Sequence, residues 1–262
     1  MPRWVALPLS MVFWATCVVL VILWTPLIAV YRLATLRSDP DRYRVGRLFH
    51  SIAPAAVRLN PFWDFHVVDE IHPDPRCPYV FVANHQSNAD AFLVAMVPWE
   101  MKWLSKKSMF DIPLLGWMMR VAGDVEVDRG NKESARHAMA EMRERLDRKL
   151  SVIIFPQGTR SPDGTVGPFR EGAFRLAIEK GVDVVPLAVA GTAESLPKGS
   201  LAFRKTSASV TVLPPVSTQG LTVEDAPTLA EQVREQIARS IQRPTGSSSA
   251  PLPPTIAPAA SS

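Results

Sequence analysis

The 262-residue chain carries only two cysteines, Cys17 and Cys77. One sits inside an apolar segment and the other in the loop-like stretch HPDPRCP, a placement that does not suit a disulfide framework and fits a reducing compartment. Also missing are the Gly-x-Ser-x-Gly nucleophile elbow, the Gly-x4-Gly-Lys-Ser/Thr phosphate loop and the His-Glu-x-x-His metal helix. The five histidines, at positions 50, 66, 72, 85 and 137, do not fall in metal-ligand spacing, so no metal site is expected. Aromatic-rich basic patches and recognisable nucleic-acid motifs are absent as well. The charge of +4 and pI near 9.3 are mildly basic, which suits an anionic membrane surface or an acidic carrier without requiring nucleic acid. With 47% hydrophobic residues, the chain is long enough to bury one sizeable core and too short for two large domains plus tails.

Charge itself is absent from one long run. Between Arg3 and Arg32, the 28 residues from Trp4 to Tyr31 include no charged side chain, and about 20 apolar residues cross a bilayer. This segment is expected to contact membrane. The apolar region is too long for a signal peptide and lacks a clear small-residue cleavage site. Pro8 and Pro26 leave open a kinked or shallowly inserted helix in place of a straight span. Arg32, Arg37, Arg42, Arg44 and Arg47 follow the segment, against Arg3 before it, and the positive-inside rule then puts the bulk of the protein on the cytoplasmic face of the cell membrane. The next stretch, DPDRYRVGRLFHSIAPAAVRLN, mixes arginines with Tyr43, Val45, Leu48, Phe49 and Ile52 at near-helical spacing. It reads either as an amphipathic helix on the anionic leaflet or as a juxtamembrane helix packed on the core. The expected organisation is a membrane-associated helical segment over 1–57, a catalytic domain over 58–242, and a disordered Pro/Ala/Ser-rich tail over 243–262.

After Pro61 short apolar strands alternate with helices. The strands are FHVV, YVFVAN, KWLS, DVEVD, SVIIFP, VVPLAVAG and SVTVLP. Asn131 to Leu150 sets Ala135, Ala138, Met139, Met142, Leu146 and Leu150 on one stripe of a helix, and AFRLAIEKG is closed by Gly181. The pattern predicts an α/β fold with a largely parallel sheet flanked by helices, and in such sheets sites gather at the strand ends.

Those strand ends are polar or basic. YVFVAN runs into His85 and Asp90, DVEVD into RGNK, SVIIFP into QGTRSPDG, and VVPLAVAG into TAESLPKG. In ANHQSNAD, Ser87 and Asp90 have the spacing of a capping box, and a carboxylate in a first helical turn is favoured by the helix dipole. Asp90 is therefore explicable without chemistry, whereas nothing in a strand-to-helix turn calls for the imidazole of His85. On a regular helix residues five apart diverge by about 140°, so His85 must precede the helix for its ring to meet Asp90. Arg129, Lys132, Arg160 and Lys198 are placed to converge with His85 on an anionic ligand, and a histidine base acting on a hydroxyl supplied by the substrate is the chemistry left after the exclusions above.

The blocks NHQSNAD, GDVEVDRG, FPQGTRS and VVPLAVAG, in this order after an apolar N-terminus, resemble the four signature blocks of the glycerolipid acyltransferases, most closely the 1-acylglycerol-3-phosphate acyltransferases. The likeness covers roughly 79–200 and extends to SKKSMFDIPLLGWMMR. It implies that His85 is the general base and Asp90 its partner. By the same resemblance, Lys106, Arg129 and Arg160 hold a lysophosphatidate phosphate, Gly158 and Thr159 shape that pocket, and Val185 and Pro186 line the acyl site. The implied reaction moves a fatty acyl group from acyl-CoA or acyl carrier protein, as co-substrate and with no bound cofactor, to the sn-2 hydroxyl, giving phosphatidic acid for phospholipid biosynthesis. The implied partners are membrane lipid, lysophosphatidate or a related lyso-lipid, and the acyl carrier. Two positions depart from the pattern: Gln157 stands where the family usually has Glu, and Glu171 where a basic residue is common. Both bear on the acceptor, so another lysophospholipid or a lyso-aminolipid is the alternative, with a non-catalytic lipid-binding protein as a third reading.

Overall fold

The computed structural model describes residues 3–69, 73–74, 77–161, 164–196, 200 and 202–242. Lys198 and the tail from Arg243 onward lie outside them. Three helices come first: α1 (Arg3–Ala34), α2 (Tyr43–His50) and α3 (Ile52–Leu59). The alternating part then runs β1 (Trp63–Asp69), β2 (Val80–Ala83), α4 (Asp90–Val94), β3 (Met101–Lys106), α5 (Lys107–Phe110), α6 (Leu115–Ala122), β4 (Val125–Val127) and α7 (Lys132–Asp147). It continues as β5 (Ser151–Ile154), α8 (Gly172–Lys180), β6 (Val184–Ala190), α9 (Thr192–Ser195), β7 (Thr206–Val212) and α10 (Ala226–Gln242).

All seven expected strands form one sheet in the order β1-β7-β6-β2-β5-β3-β4. Every pairing is parallel except β6 with β7. Because side chains alternate across a strand, β2 splits its residues between two cores. Val80 and Val82 pack with Met142 of α7, Phe174 of α8 and Val233 of α10. Phe81 and Ala83 pack with Phe13 of α1, Val57 of α3 and Leu93 of α4. Strands covered by helices on both faces read as continuous apolar runs, which is why the sequence shows them so plainly. Gly181 closes α8 at φ 59 as expected, and α7 starts at an Asn131 cap, whose side chain accepts from the N–H groups of Glu133 and Ser134. Two details differ. α7 stops at Asp147, because Lys149 turns to φ 61 and Leu150 N–H bonds back to Arg145 O, so Leu150 is buried outside the helix. The stretch expected to be one amphipathic helix is two: Pro54 has no N–H for the His50 carbonyl and its ring crowds that carbonyl, so the chain re-aims at Ser51.

α1 lies along the globular part instead of projecting from it. Its Ser10 hydroxyl accepts from Phe203 N–H, Phe13 sits 5.2 Å from Trp63, Trp24 donates to Ser51 Oγ, and Thr25 donates to Met118 Sδ. Ile28 completes a third core with Val45, Phe49 and Met118. The opposite stripe, including Met11, Val18, Ile22, Val30 and Leu33, is exposed. At 1.5 Å per residue the helix is roughly 48 Å long. Crossing a bilayer upright would require most of these contacts to break.

Candidate active site

His85 and Asp90 stand in the turn between β2 and α4. The turn is pinned to neighbouring elements far away in sequence. Asn84 Nδ2 donates to Val189 O at 2.9 Å and Asn84 Oδ1 accepts from Val189 N–H at 2.8 Å, tying the end of β2 to β6. Ser87 Oγ donates to Leu196 O at 2.7 Å. Gln86 donates to Gly164 O and accepts from Thr192 Oγ1. Such ties satisfy polar groups that a buried turn cannot offer to water. The capping box is half formed: Asp90 accepts from Ser87 N–H, but the Ser87 hydroxyl serves Ala89 N–H, and α4 is a short helix that begins at Asp90 itself.

One oxygen of Asp90 collects three donors. Oδ2 lies 2.6 Å from His85 Nδ1, 2.7 Å from Gln86 N and 2.9 Å from Ser87 N, and the residue is fully buried. A carboxylate held this way accepts, so the proton of neutral His85 sits on Nδ1 and the lone pair on Nε2 faces away from Asp90. The His85 side chain keeps 14% of its surface exposed, and its ring packs 4.7 Å from that of Phe155. The loop after β5 fixes the His85 backbone at both polar groups: His85 N–H donates to Gln157 Oε1 at 2.6 Å, and His85 O accepts from Ser161 N–H at 2.8 Å.

The same loop gathers the arginines. Arg129 Nη1 donates to Gly158 O at 2.9 Å, and Gly158 adopts φ 72 with the Arg170 guanidinium directly over its Cα. Burial, then the nearby charges of Arg170 and Arg160, push the Arg129 guanidinium below its usual range. Among the described residues none of the three has an acidic partner within ion-pair distance, so their positive charge is concentrated beside His85. Arg170 was not singled out by the sequence reading; its signal was the basic residue just before Glu171. Lys106 ends β3 opposite Val127, two residues before Arg129, and is exposed at the same sheet end. Lys132, at the start of α7, is exposed, and Thr159 is exposed in the loop. Val185 and Pro186 are buried in the middle of β6, with Val185 in the core under α1 and α3.

Both departures from the signature blocks are engaged by protein groups. Gln157 holds the His85 backbone, and a Glu there would offer the same acceptor oxygen. Glu171 Oε2 accepts from Arg175 Nε at 3.0 Å and Nη2 at 2.9 Å on its own helix.

The acyltransferase family profile matches residues 65–190, a span that contains His85, Asp90 and all three arginines. A chloroplastic 1-acyl-sn-glycerol-3-phosphate acyltransferase of Brassica napus is 37% identical over 164 residues, covering 61% of this chain and 47% of its own length. The chain thus spans about half the length of that relative. The 1-acyl-sn-glycerol-3-phosphate acyltransferase of Limnanthes alba is 32% identical over 215 residues, covering 79% of this chain and 74% of that one. The crystal structure of the 1-acyl-sn-glycerophosphate acyltransferase PlsC of Thermotoga maritima superposes with a TM-score of 0.78 at 26% identity, over 92% of this chain and 97% of that one. On these likenesses, the chain belongs to the 1-acyl-sn-glycerol-3-phosphate acyltransferase family.

Proposed function

We propose that this chain transfers a fatty acyl group from an acyl thioester, acyl-CoA or acyl carrier protein, to the sn-2 hydroxyl of 1-acylglycerol 3-phosphate. The observation that carries the reading is the 2.6 Å pair of His85 Nδ1 with Asp90 Oδ2, with His85 partly exposed beside three arginines that have no acidic partner among the described residues. Nε2 of neutral His85 removes the hydroxyl proton while the oxygen attacks the thioester carbonyl. Asp90 stabilises the imidazolium that results. The tetrahedral intermediate then expels the thiolate, which takes the proton back from Nε2, leaving phosphatidic acid and free thiol. No acyl-enzyme is needed, and no bound cofactor, because the thioester is already activated. A base so placed contributes about 10²- to 10⁴-fold. Holding both substrates in register adds roughly 7–11 kcal/mol at best. Arg129, Arg160 and Arg170 hold the acceptor phosphate, with Lys106 at the rim and Gly158 and Thr159 shaping the loop.

The apolar stripe of α1 lies in one leaflet, with the protein on the cytoplasmic face. The arginines after α1 and the absence of a disulfide framework support that side. Replacing His85 by Ala is expected to abolish transfer to lysophosphatidate in membranes while the protein accumulates normally; activity within about tenfold of the parent would overturn the reading. A panel of lyso-lipid acceptors tests the headgroup: fast turnover of another acceptor beside slow turnover of lysophosphatidate would replace the acceptor and keep the chemistry.

A further inference from the structure

A second concentration of positive charge lies at the opposite end of the sheet. Arg42, from the loop between α1 and α2, and Arg145 and Arg148, from the end of α7, line a cavity of about 160 Å³ together with Pro40, Asp41, Gly123 and Leu150, so that three guanidiniums face one carboxylate in the lining. Gly123 and Leu150 precede the first residues of β4 and β5, whereas His85, Arg129 and Gln157 follow the last residues of their strands. With these strands parallel, the cavity and the candidate active site face opposite edges of the sheet.

Backbone carbonyls position two of the guanidiniums, and carboxylates compensate Arg145 and Arg148 only at long range. Arg42 Nη1 donates to Arg120 O at 2.9 Å, and Arg145 Nε donates to Gly123 O at 3.0 Å, which aims the two forks and leaves Nη2 of Arg42 available. Among the described residues Arg42 has no acidic partner. Arg148 meets Asp41 at 3.6 Å, and Arg145 meets Glu141 at 3.6 Å and Glu144 at 4.0 Å, all long contacts. Arg42 also holds a left-handed backbone, φ 59 and ψ 31, a conformation that a non-glycine residue keeps only under constraint. Burial and the charges of Arg32, Arg145 and Arg148 lower the affinity of Arg42 for its proton, as expected for cations crowded together. The loop 40–42 starts four residues after Leu36, an exposed apolar residue beyond the end of α1, which puts the cavity near the C-terminal end of the apolar helix.

We propose that this cavity is a second phosphate-binding site, separate from the one beside His85, which takes the phosphate of an anionic lipid headgroup or of a small soluble phosphate ester. Paired guanidinium forks match the oxygens of a phosphate, and the volume admits a headgroup without its acyl chains. The site does not depend on the acceptor read above.

Full-length protein carrying Arg42→Gln with Arg148→Gln is compared with a charge-matched control, Arg44→Gln with Arg47→Gln, exposed positions outside the cavity. In one arm, binding to phosphatidylcholine vesicles with and without phosphatidylglycerol is measured by sedimentation. The cavity variant is expected to lose about tenfold more affinity than the control for the anionic vesicles, which would identify a lipid headgroup. In the other arm, inorganic phosphate is titrated against chloride at matched ionic strength in neutral micelles. A saturable rise in the thermal midpoint that the cavity variant loses and the control keeps would identify a soluble phosphate. Either result supports the site. Equal behaviour of the two variants in both arms overturns it. Should Arg42→Gln fail to fold, the exposed Arg148→Glu is read in the same two arms, with losses expected in the same direction.

Discussion

Among the described residues, His85 and His50 are the histidines that face buried carboxylates, and they differ in what is left over. His85 uses one ring nitrogen on one carboxylate and keeps the other nitrogen free at a partly open surface. His50 uses both: Nδ1 meets Glu100 at 3.0 Å and Nε2 meets Asp124 at 3.3 Å, with both carboxylates buried. Lys102, fully buried, completes the second cluster by donating to Glu100 at 2.7 Å and to the carbonyls of Arg42 and Ala122. α2 comes so close that a Cβ at Gly46 would run into Glu100 and Lys102, which explains the glycine. The two sites are near each other, with Trp103 5.8 Å from His50 and Phe155 6.2 Å from Trp103 and 4.7 Å from His85. A histidine with a free nitrogen is able to move a proton to a substrate; one clamped on both sides holds elements together. Here it fastens α2 to β3 and β4.

The largest effects should separate the two roles. His85→Ala is expected to lower turnover by about 10²- to 10⁴-fold with a small change in thermal midpoint. His50→Ala should do the reverse, costing on the order of 3–5 kcal/mol in a denaturant titration because Glu100 and Asp124 lose the cation between them, while turnover per folded molecule stays close to the parent. If His50→Ala removed turnover from a folded protein, the two clusters would have to be treated as one unit.

Acidity offers a second way to test the contrast. Burial pushes His50 down, but Glu100 and Asp124 outweigh it and raise its pKa to about 9, from an ordinary value near 6.5. The folded value lies above the unfolded one, so the stabilisation is fully present below about pH 6.5 and disappears as the pH rises through about 9. The unfolding free energy should fall by up to about 3 kcal/mol across that window in the parent and be much flatter in His50→Gln.

How much of this was readable beforehand follows from the range of each interaction. The seven strands, the Asn131 cap and the Gly181 stop are written in local patterns of a few residues. So was the requirement that His85 precede its helix. The lock of Asn84 on Val189 spans 105 residues, and no local window contains it. Lys102 reads as an ordinary position in KWLS, yet its ammonium is buried, because its partners come from the residue before α2, the end of α6 and the residue before β3. Arg170 carries no local signal of its position in the site for a related reason: its approach to Gly158 appears only once the loop after β5 is folded. Gln157 read as a contact to the acceptor, and the structure shows its side chain on the His85 backbone.

A smaller effect is expected at Arg170. Removing a charge-assisted contact of about 1.5–3 kcal/mol should raise the KM for lysophosphatidate by about tenfold to a hundredfold in Arg170→Gln, with kcat and the thermal midpoint little changed. A drop in kcat alone would move Arg170 from holding the acceptor to ordering the loop.

Gln157→Glu should be the mildest change, and it distinguishes two uses of the same side chain. The new carboxylate can keep the bond to His85 N–H, since only acceptor capacity is required there. What it adds is a negative charge near His85 and Arg129. If Gln157 mainly holds the His85 backbone, acceptor preferences should be unchanged and turnover should shift by no more than about threefold, the size of a partly screened charge interaction. If the uncharged side chain also tunes the acceptor, lysophosphatidate should gain or lose relative to lyso-lipids with neutral headgroups. The ratio of those rates, measured side by side on one preparation, decides between the two. Gln157→Leu supplies the counterpart, because it removes the acceptor for His85 N–H without adding charge: a loss of turnover for every acceptor alike would assign Gln157 to the positioning of His85.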